Sequence, residues 1–207
     1  MIRLYIFVEG QTEETFVREL LYNHFLQQNI YVIPILLGGV VTYGKIKKQL
    51  HRKCSEDSKS FVTTMFDMYG LPVDFPGKSS IPNTSNPFDK AEYLEEKLYK
   101  DIGYQNFIPN LLVHEFEALL YSNPQAFLEW FDQSIVETIQ RERDLFSSPE
   151  HINDSPKTAP SKRIIKSCPR YDKPLHGSLI AMDIGLDTIR KNCQHFNKWL
   201  TLLEKIT

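Results

Sequence analysis

Acidic side chains stand directly after three of the four apolar, β-branched runs in this sequence. Glu9 follows the first run, Asp67 the third, and Glu115 with Glu117 the fourth. If the runs are parallel strands, their carboxyl ends share one edge of a sheet, where ligands bind. Two charges about 4 Å apart repel by about 4 kcal/mol at an effective dielectric of about 20, so a cation or a shared proton should relieve them. Oxygen ligands favour hard ions, which predicts a Mg²⁺ (or Mn²⁺) site.

Each acid also has a purely structural interpretation. Glu13 and Glu14 fall in the first turn of a predicted helix, where the helix dipole favours negative charge. Glu13 is nevertheless a second candidate catalytic residue. Asp67 could cap a turn, and one of Glu115 and Glu117 could begin a helix while the other faces solvent or the site. The metal prediction therefore depends on the shared sheet edge and not on any single acid.

Basic residues in two places are candidates for binding phosphate. Lys45 lies on the basic face of a predicted helix, although a solvated face is the simpler interpretation. Lys162 and Arg163 follow Pro160, which suits the first turn of a helix. Cations are disfavoured at that end of a helix, and a bound anion would remove the conflict. The alternative is that both point to solvent or pair with Asp154.

The elements that must position these side chains alternate between strands and helices. Strands are predicted at 2–8, 30–37, 61–66 and 107–113, and helices at 12–28, 43–54 and 88–100. Pro34 favours an edge position for the second strand, and Thr12 is the predicted N-cap of the first helix. The order β-α-β-α-β-loop-α-β predicts an α/β fold with a mostly parallel four-stranded sheet and helices on both faces.

The remaining segments complete the predicted organisation. The stretch 70–89 is rich in proline and glycine and predicts a long loop without regular structure. From Phe116 onward the pattern is helical and ends in a helix at 187–206. We therefore expect an α/β domain over 1–122 and an all-helical C-terminal extension over 123–207, packed together as one structural unit.

Composition excludes several classes of protein. The 207 residues carry 24 Lys and Arg against 26 Asp and Glu, a net charge of −2, which excludes a strongly basic nucleic-acid coat protein. No apolar run approaches the roughly 18 residues that span a bilayer, so no membrane partner is expected. Cys54, Cys168 and Cys193 are too far apart to predict a disulfide framework or a zinc site. The expectation is a cytoplasmic protein.

Three motifs follow one another along the chain, and together they resemble a known family. They are residues 9–13 (Glu-Gly-Gln-Thr-Glu), 66–72 (Phe-Asp-Met-Tyr-Gly-Leu-Pro) and 114–120 (His-Glu-Phe-Glu-Ala-Leu-Leu), with further segments at 149–153, 158–163 and 171–173 (Tyr-Asp-Lys). Over nearly the whole chain these residues resemble the Toprim-like family catalogued as domain of unknown function 4276. The wider Toprim superfamily includes topoisomerase, primase and overcoming-lysogenization-defect nuclease domains.

The resemblance implies roles for individual residues. It implies a general acid or base at Glu9 and a magnesium ligand at Asp67. The superfamily's Asp-x-Asp pattern would place a second aspartate where this chain has Tyr69, and a phenol is a poor magnesium ligand. Glu115 or Glu117 is the candidate for the missing carboxylate, and Asp74 in the proline-rich loop is a weaker one, which leaves the number of metal ions open.

Two functions of different classes follow. The first hypothesis is a magnesium-dependent phosphoryl-transfer enzyme, in the first instance a nuclease that cleaves phosphodiester bonds in DNA or RNA. The alternative is a non-catalytic Toprim-like subunit that docks on a partner ATPase. The resemblance implies a genomic association with ATPases in some members and a context of phage defence. Hydrolysis or transfer on a small nucleotide is a third candidate. Residue types do not separate these, and they leave the oligomeric state open.

Overall fold

Parallel strands form the centre of the molecule. A computed structural model describes residues 1–38, 42–57, 59–84, 86–153 and 157–206. The strands are β1 (Ile2–Val8), β2 (Ile30–Leu36), β3 (Ser60–Asp67), β4 (Phe107–Ile108) and β5 (Leu111–Leu112). They are ordered β2-β1-β3-β4, with β5 also paired to β3, and every pairing is parallel. The predicted parallel sheet is confirmed, and β2, which carries Pro34, lies at its edge.

The predicted fourth strand is interrupted, so the sheet has five strands where four were expected. Pro109 cannot donate a backbone hydrogen bond, and pairing stops there. Asn110 bonds Thr64 instead: its N–H donates to the Thr64 hydroxyl at 3.0 Å, and that hydroxyl donates to its carbonyl at 2.8 Å. These side-chain bonds replace two ladder bonds, and pairing with β3 resumes at Leu111.

Alternate residues of β1 pack into two cores, one on each face of the sheet. Leu4, Ile6 and Val8 contribute to the larger core, together with the first helices and the C-terminal helices. Phe7 points the other way, into the core built by the helices that precede and follow β3. This period of two is what an interior strand with both faces covered requires.

The helices lie close to the predicted positions. In the α/β region they are α1 (Gln11–Phe16), a π-turn (Val17–Leu21), α2 (Tyr22–Leu26), α3 (Tyr43–Glu56) and α4 (Pro87–Ile102). The predicted N-cap was wrong: Gly10 is the N-cap of α1, and its N–H donates to Glu13 Oε2 at 3.0 Å. The Thr12 hydroxyl instead donates to the carbonyl of Lys173 at 3.2 Å, which joins α1 to the C-terminal region.

The stretch 70–89 is more structured than predicted. A 3₁₀ turn spans Lys78–Ser80, and α4 already begins at Pro87, with the Asn86 side chain accepting from the N–H of Phe88 at 3.1 Å. Leu71 and Phe75 are buried in the smaller core. Apolar anchors of this kind hold a loop that its proline and glycine content would leave open.

Short helices make up the C-terminal region. They are α5 (Glu117–Leu120), a 3₁₀ turn (Pro124–Glu129), α6 (Gln133–Asp144), a 3₁₀ turn (Pro149–His151), α7 (Pro160–Ser167), a π-turn (Lys173–Gly177), α8 (Ser178–Ile184), α9 (Leu186–Asn192) and α10 (Gln194–Leu203). The predicted final helix is two helices because Cys193 is extended, and the buried Glu150 carboxylate caps α10 by accepting from the N–H groups of His195 and Phe196.

The C-terminal helices share the larger core with the sheet. Phe16 of α1 contacts the rings of Phe116 and Phe196 at centroid distances of 5.4 and 6.0 Å. Trp199 of α10 donates its indole N–H to the Thr63 hydroxyl of β3 at 2.9 Å. The division at residues 122 and 123 stays a prediction. In the described part of the chain, no helix has the length and apolar character needed to cross a membrane.

Candidate active site

The first two candidate acids meet at the carboxyl edge of the sheet. Val8 pairs with Met65, so Glu9 and Asp67 leave neighbouring strands almost side by side. The backbone N–H of Asp67 donates to Glu9 Oε1 at 3.1 Å, which fixes the glutamate across the strand ends. A Cβ at position 70 would lie 2.9 Å from Glu9 Oε2, so a larger residue there would displace the Glu9 carboxylate. The motif 66–72 therefore contacts Glu9 through Asp67 and Gly70.

Two further carboxylates come from the starts of helices and are almost completely buried. Glu13, in the first turn of α1, is 3% exposed, and Glu117, the first residue of α5, is 0% exposed. The hydroxyl of Tyr171 donates to Glu117 Oε1 at 3.4 Å. Asp67 Oδ1 accepts from the N–H of Phe116 at 2.9 Å, which ties β3 to the start of α5.

The Lys173 ammonium lies among these carboxylates. Its Nζ is 3.0 Å from Glu117 Oε2, 3.6 Å from Asp67 Oδ2 and 3.8 Å from Glu13 Oε1. With Glu9, these residues form the acid cluster: Glu9, Glu13, Asp67 and Glu117 around Lys173. Four carboxyl groups thus face one ammonium group, which can neutralise only one of them when all are ionised.

Close packing holds Lys173 at the start of its π-turn. The Asp172 side chain accepts from the N–H of Leu175 at 3.0 Å and so caps the turn. At the other end, a Cβ on Gly177 would lie 2.8 Å from Thr12 Cγ2 and 3.0 Å from the Tyr171 hydroxyl. Only glycine lets this turn approach α1 closely enough for the ammonium to reach the acids.

Burial and mutual repulsion raise the pKa values of three acids in the cluster. Burial, and then the Glu13 carboxylate, raise the pKa of Glu9 from 4.5 to about 7. Burial also raises the pKa of Glu117 from 4.5 to about 7, against the opposing charge of Lys173. The pKa of Asp67 is raised well above its usual value, again mainly by burial. Although burial lowers the pKa of Lys173, its acidic neighbours raise it above its usual range, so this ammonium stays charged.

A cavity of about 470 Å³ opens over the acid cluster. Glu9, Glu13, Asp67 and Lys173 line it, together with apolar side chains of the smaller core and of the loop after β3. The cluster is therefore reachable by a ligand, and 37% of the Lys173 side chain is exposed. A concave site with shifted titratable groups is a typical place for catalysis.

The cluster suits a hard divalent cation by its donor chemistry. All four acids offer oxygen donors, and a divalent cation would favour their ionised forms over the protonated forms that burial favours. Within residues 1–38, 42–57, 59–84, 86–153 and 157–206, no three His, Cys, Asp or Glu side chains are already arranged to hold a metal ion.

Two residues of the predicted site lie outside the acid cluster. Glu115 accepts from the N–H of Ser161 and so caps the first turn of α7, although its charge still raises the pKa of Glu117. The ring of Tyr69 lies 5.3 Å from the His114 ring, and the residue is 40% exposed. The structure therefore gathers Glu9, Glu13, Asp67 and Glu117, but places Glu115 at a helix start and Tyr69 on a neighbouring surface.

The predicted phosphate-binding residues are spread around this centre. Lys45 is exposed on α3, next to Ile46, which lines the cavity. Lys162 is exposed on α7. Arg163 donates to the carbonyl of Thr158 at 2.7 Å and lies 5.2 Å from the Phe146 ring, so its guanidinium is already engaged. Asp154, the alternative partner, is outside the described residues.

The residue of the acid cluster that the sequence did not single out is Lys173. Its only signal was the segment 171–173, Tyr-Asp-Lys, which resembles a family motif and contains the Glu117 partner Tyr171. Spacing could not show that this segment, more than a hundred residues beyond Asp67, returns to the carboxyl edge of the sheet.

Raised carboxyl pKa values predict that the folded protein loses stability as pH rises. Glu9 and Glu117 have pKa values of about 7 in the folded state against 4.5. The folded state binds the extra protons, so its stabilisation is complete below pH 4.5 and is lost as pH rises through about 7. We expect urea unfolding to show a loss of the order of 3 kcal/mol between about pH 5 and about pH 8.

The control for this pH dependence is Glu9→Gln, which keeps the acceptor for the N–H of Asp67 but does not ionise. The variant should lose less stability over the same pH range. Stability that is constant or rises across that range in the wild type would show that the acids are ionised without penalty.

Known proteins similar to this chain match nearly its whole length. A family model described as "Domain of unknown function (DUF4276)" matches residues 8–204. No curated protein matches the chain. The C-terminal region of the Xanthomonas campestris pv. campestris OLD protein, solved with iodine phasing, is 14% identical with a TM-score of 0.45, over 97% of this chain and 96% of that chain. The same region solved with mercury phasing is 14% identical with a TM-score of 0.41, over 97% of each chain.

Proposed function

The chain belongs to the family described as "Domain of unknown function (DUF4276)", and on that premise we propose that it is a Mg²⁺- or Mn²⁺-dependent phosphoryl-transfer enzyme of Toprim type. Its substrate is a phosphodiester bond in DNA or RNA, which makes it a nuclease. The observation that carries the proposal is the acid cluster, in which carboxylates from both strand ends and helix starts converge at a cavity. Cytoplasmic defence against phage is the proposed setting.

Glu9 is the proposed general acid or base. Its pKa of about 7 lets it both accept and release a proton near neutral pH, which is what proton transfer to an attacking or leaving oxygen requires. The N–H of Asp67 holds one of its oxygens, Oε1, at 3.1 Å. The second oxygen, Oε2, is the one that passes close to Gly70 at the cavity wall.

Asp67, Glu13 and Glu117 are the proposed ligands of the metal ion. When bound, the ion would offset the negative charge that develops on the phosphate. Asp67 is oriented for this by the N–H of Phe116, which holds Oδ1 at 2.9 Å. Glu117 is oriented by the Tyr171 hydroxyl at 3.4 Å.

Lys173 is proposed to bind the substrate phosphate. Its ammonium stays charged at neutral pH and lines the cavity, so it can donate to a phosphate oxygen there. Lys45 and Lys162, both exposed, are candidates for contacts with the nucleic-acid backbone further from the cut.

Nuclease activity is tested with purified protein, Mg²⁺ or Mn²⁺, and three substrates: double-stranded DNA, single-stranded DNA and RNA. We expect wild-type protein to cleave at least one of them, and Glu9→Gln to be slower by about 100-fold or more, since general acid–base catalysis typically contributes that much. Intact substrates in every reaction, or a Glu9→Gln variant as active as wild type, would contradict the proposal.

A second candidate is a non-catalytic subunit of an ATPase-containing complex. It is favoured by Lys173, which already supplies a cation to the acids, and by Tyr69, which stands where the superfamily pattern has a second aspartate. This candidate predicts that the isolated chain binds no divalent metal ion and that a pull-down recovers a stoichiometric ATPase.

A further inference from the structure

A second cavity, of about 530 Å³, adjoins the turn that follows Asp67. We call it the aromatic cleft and define it by six of its lining residues: Tyr69, Lys90, His114, Phe146, His151 and Asn153. Four carry rings and the other two carry an ammonium and an amide. This mixture of flat apolar faces and polar groups suits a flat heteroaromatic ligand.

Tyr69 is held as a platform at the mouth of this cleft. Its ring lies 5.3 Å from the buried His114 ring at an interplanar angle of 31°, and the residue is still 40% exposed. The N–H of Tyr69 donates to the carbonyl of His114 at 3.1 Å, so the backbones are joined as well. His114 has a φ of 71°, a left-handed conformation that is uncommon outside glycine and is concentrated at functional sites.

Two other rings of the cleft, those of His151 and Phe146, also have fixed contacts. His151 receives a hydrogen bond at Nδ1 from, or donates one to, the Ser148 hydroxyl at 2.7 Å, and its ring lies 4.9 Å from that of Phe88. The Arg163 guanidinium carbon lies 5.2 Å from the centroid of the Phe146 ring. A ligand would therefore meet rings that are already positioned, which lowers the entropy cost of binding.

The aromatic cleft and the acid cluster are neighbours along one short turn. Asp67 and Gly70 line the first cavity, and the two residues between them, Met68 and Tyr69, line the second. Two residues of chain span at most about 7 Å, so the two cavities adjoin one short turn. A single nucleotide has this layout, with a flat base and a phosphate joined by one sugar.

We propose that the aromatic cleft binds one unstacked nucleobase, stacked on Tyr69, while the adjoining phosphate lies at the acid cluster. The inference rests on the proposed function and deepens it, because it names an unpaired strand as the substrate. A base within a duplex is stacked on both faces and cannot enter the cleft. Stacking on a ring tolerates any base, so the cleft selects for strandedness and not for sequence.

The test measures binding of fluorescent single-stranded oligonucleotides by anisotropy, with Ca²⁺ in place of Mg²⁺ so that the acid cluster can hold a divalent ion while cleavage is suppressed. One series of oligonucleotides is intact, and a second lacks single bases at successive positions. Tyr69→Ala is compared with wild type and with Tyr31→Ala, a matched control, because Tyr31 is also 40% exposed, also contacts another ring and lies away from both cavities on β2. Thermal melting checks that each variant is folded.

We expect Tyr69→Ala to bind the intact oligonucleotide about 5- to 150-fold more weakly, the usual contribution of one stacked base, and Tyr31→Ala to bind like wild type. Wild type should bind an oligonucleotide that lacks the critical base more weakly by a similar factor. Tyr69→Ala should bind the intact and the base-lacking oligonucleotide with equal affinity. Tyr69→Phe should keep wild-type affinity.

Three results would overturn the inference. The first is equal affinity of Tyr69→Ala and Tyr31→Ala for the intact strand. The second is a loss in Tyr69→Ala that adds fully to the loss from removing a base, because the two changes would then act at different places. If wild type cleaves nucleic acid in either case, the proposed function stands and only the cleft assignment fails. The third is wild type that neither binds nor cleaves any strand, which would contradict both the cleft assignment and the proposed function.

Discussion

Replacing Asp67 by asparagine is expected to lower metal-dependent cleavage by at least about 1000-fold, since a metal ion contributes several kcal/mol of transition-state stabilisation. The substitution removes the charge that a divalent ion needs. It keeps an oxygen at Oδ1 that can still accept from the N–H of Phe116, so the strand end and α5 stay joined. Turnover of the cleaved substrate at saturating Mg²⁺ or Mn²⁺ measures the effect.

The control for Asp67→Asn is Asp187→Asn, an exposed aspartate in the first turn of α9. It changes the net charge of the chain by the same amount and should leave cleavage unchanged. A folded Asp67→Asn protein that keeps more than about a tenth of wild-type activity would show that Asp67 is not a metal ligand.

Replacing Lys173 by methionine is expected to produce the largest loss of stability among single changes at the site. The variant leaves the carboxylates of Glu13, Asp67 and Glu117 without their ammonium partner. Breaking a fully buried ion pair costs about 3–5 kcal/mol, and because 37% of the Lys173 side chain is exposed we expect about 2 kcal/mol at neutral pH. Urea unfolding in EDTA gives this difference directly.

The pH dependence separates this electrostatic effect from lost packing. Without the ammonium, the carboxyl pKa values rise further, so the folded state holds its protons to higher pH and the variant loses stability more steeply from about pH 5 to about pH 8. Lys162→Met, an exposed lysine of α7, is the control and should change stability little. If Lys173→Met lowers the free energy of unfolding by the same amount at about pH 5 and at about pH 8, the side chain acts only through packing.

Much of the fold could be predicted from local sequence. The run 2–8 is β-branched and aromatic, and β1 occupies it completely as Ile2–Val8. The predicted parallel order and the edge position of Pro34 are confirmed. Two details were missed: the Thr64 hydroxyl bonds the backbone of Asn110 where Pro109 interrupts the fourth strand, and a distant carboxylate, Glu150, caps α10 where the sequence predicted one continuous helix.

The site could be predicted only in part. Glu9 and Asp67 were found because a strand end is a local signal, and the structure places them together. Glu117 lies in the acid cluster and Glu115 does not, a choice that spacing alone left open, since α5 turns one of them inward. Lys173 could not be placed, because its position depends on the close approach of Gly177 to α1.

Calorimetric titration of Mn²⁺ into metal-free protein at about pH 7.5 tests the acid cluster as a metal site most directly, with wild type and Asp67→Asn measured side by side. We predict saturable binding by wild type with release of protons, because the raised pKa of Glu9 and of Glu117, about 7 for each, leaves part of these carboxyls protonated until a cation binds. Asp67→Asn should bind at least about tenfold more weakly. A folded wild-type protein that takes up no Mn²⁺, or an Asp67→Asn variant that binds equally well, would contradict the account.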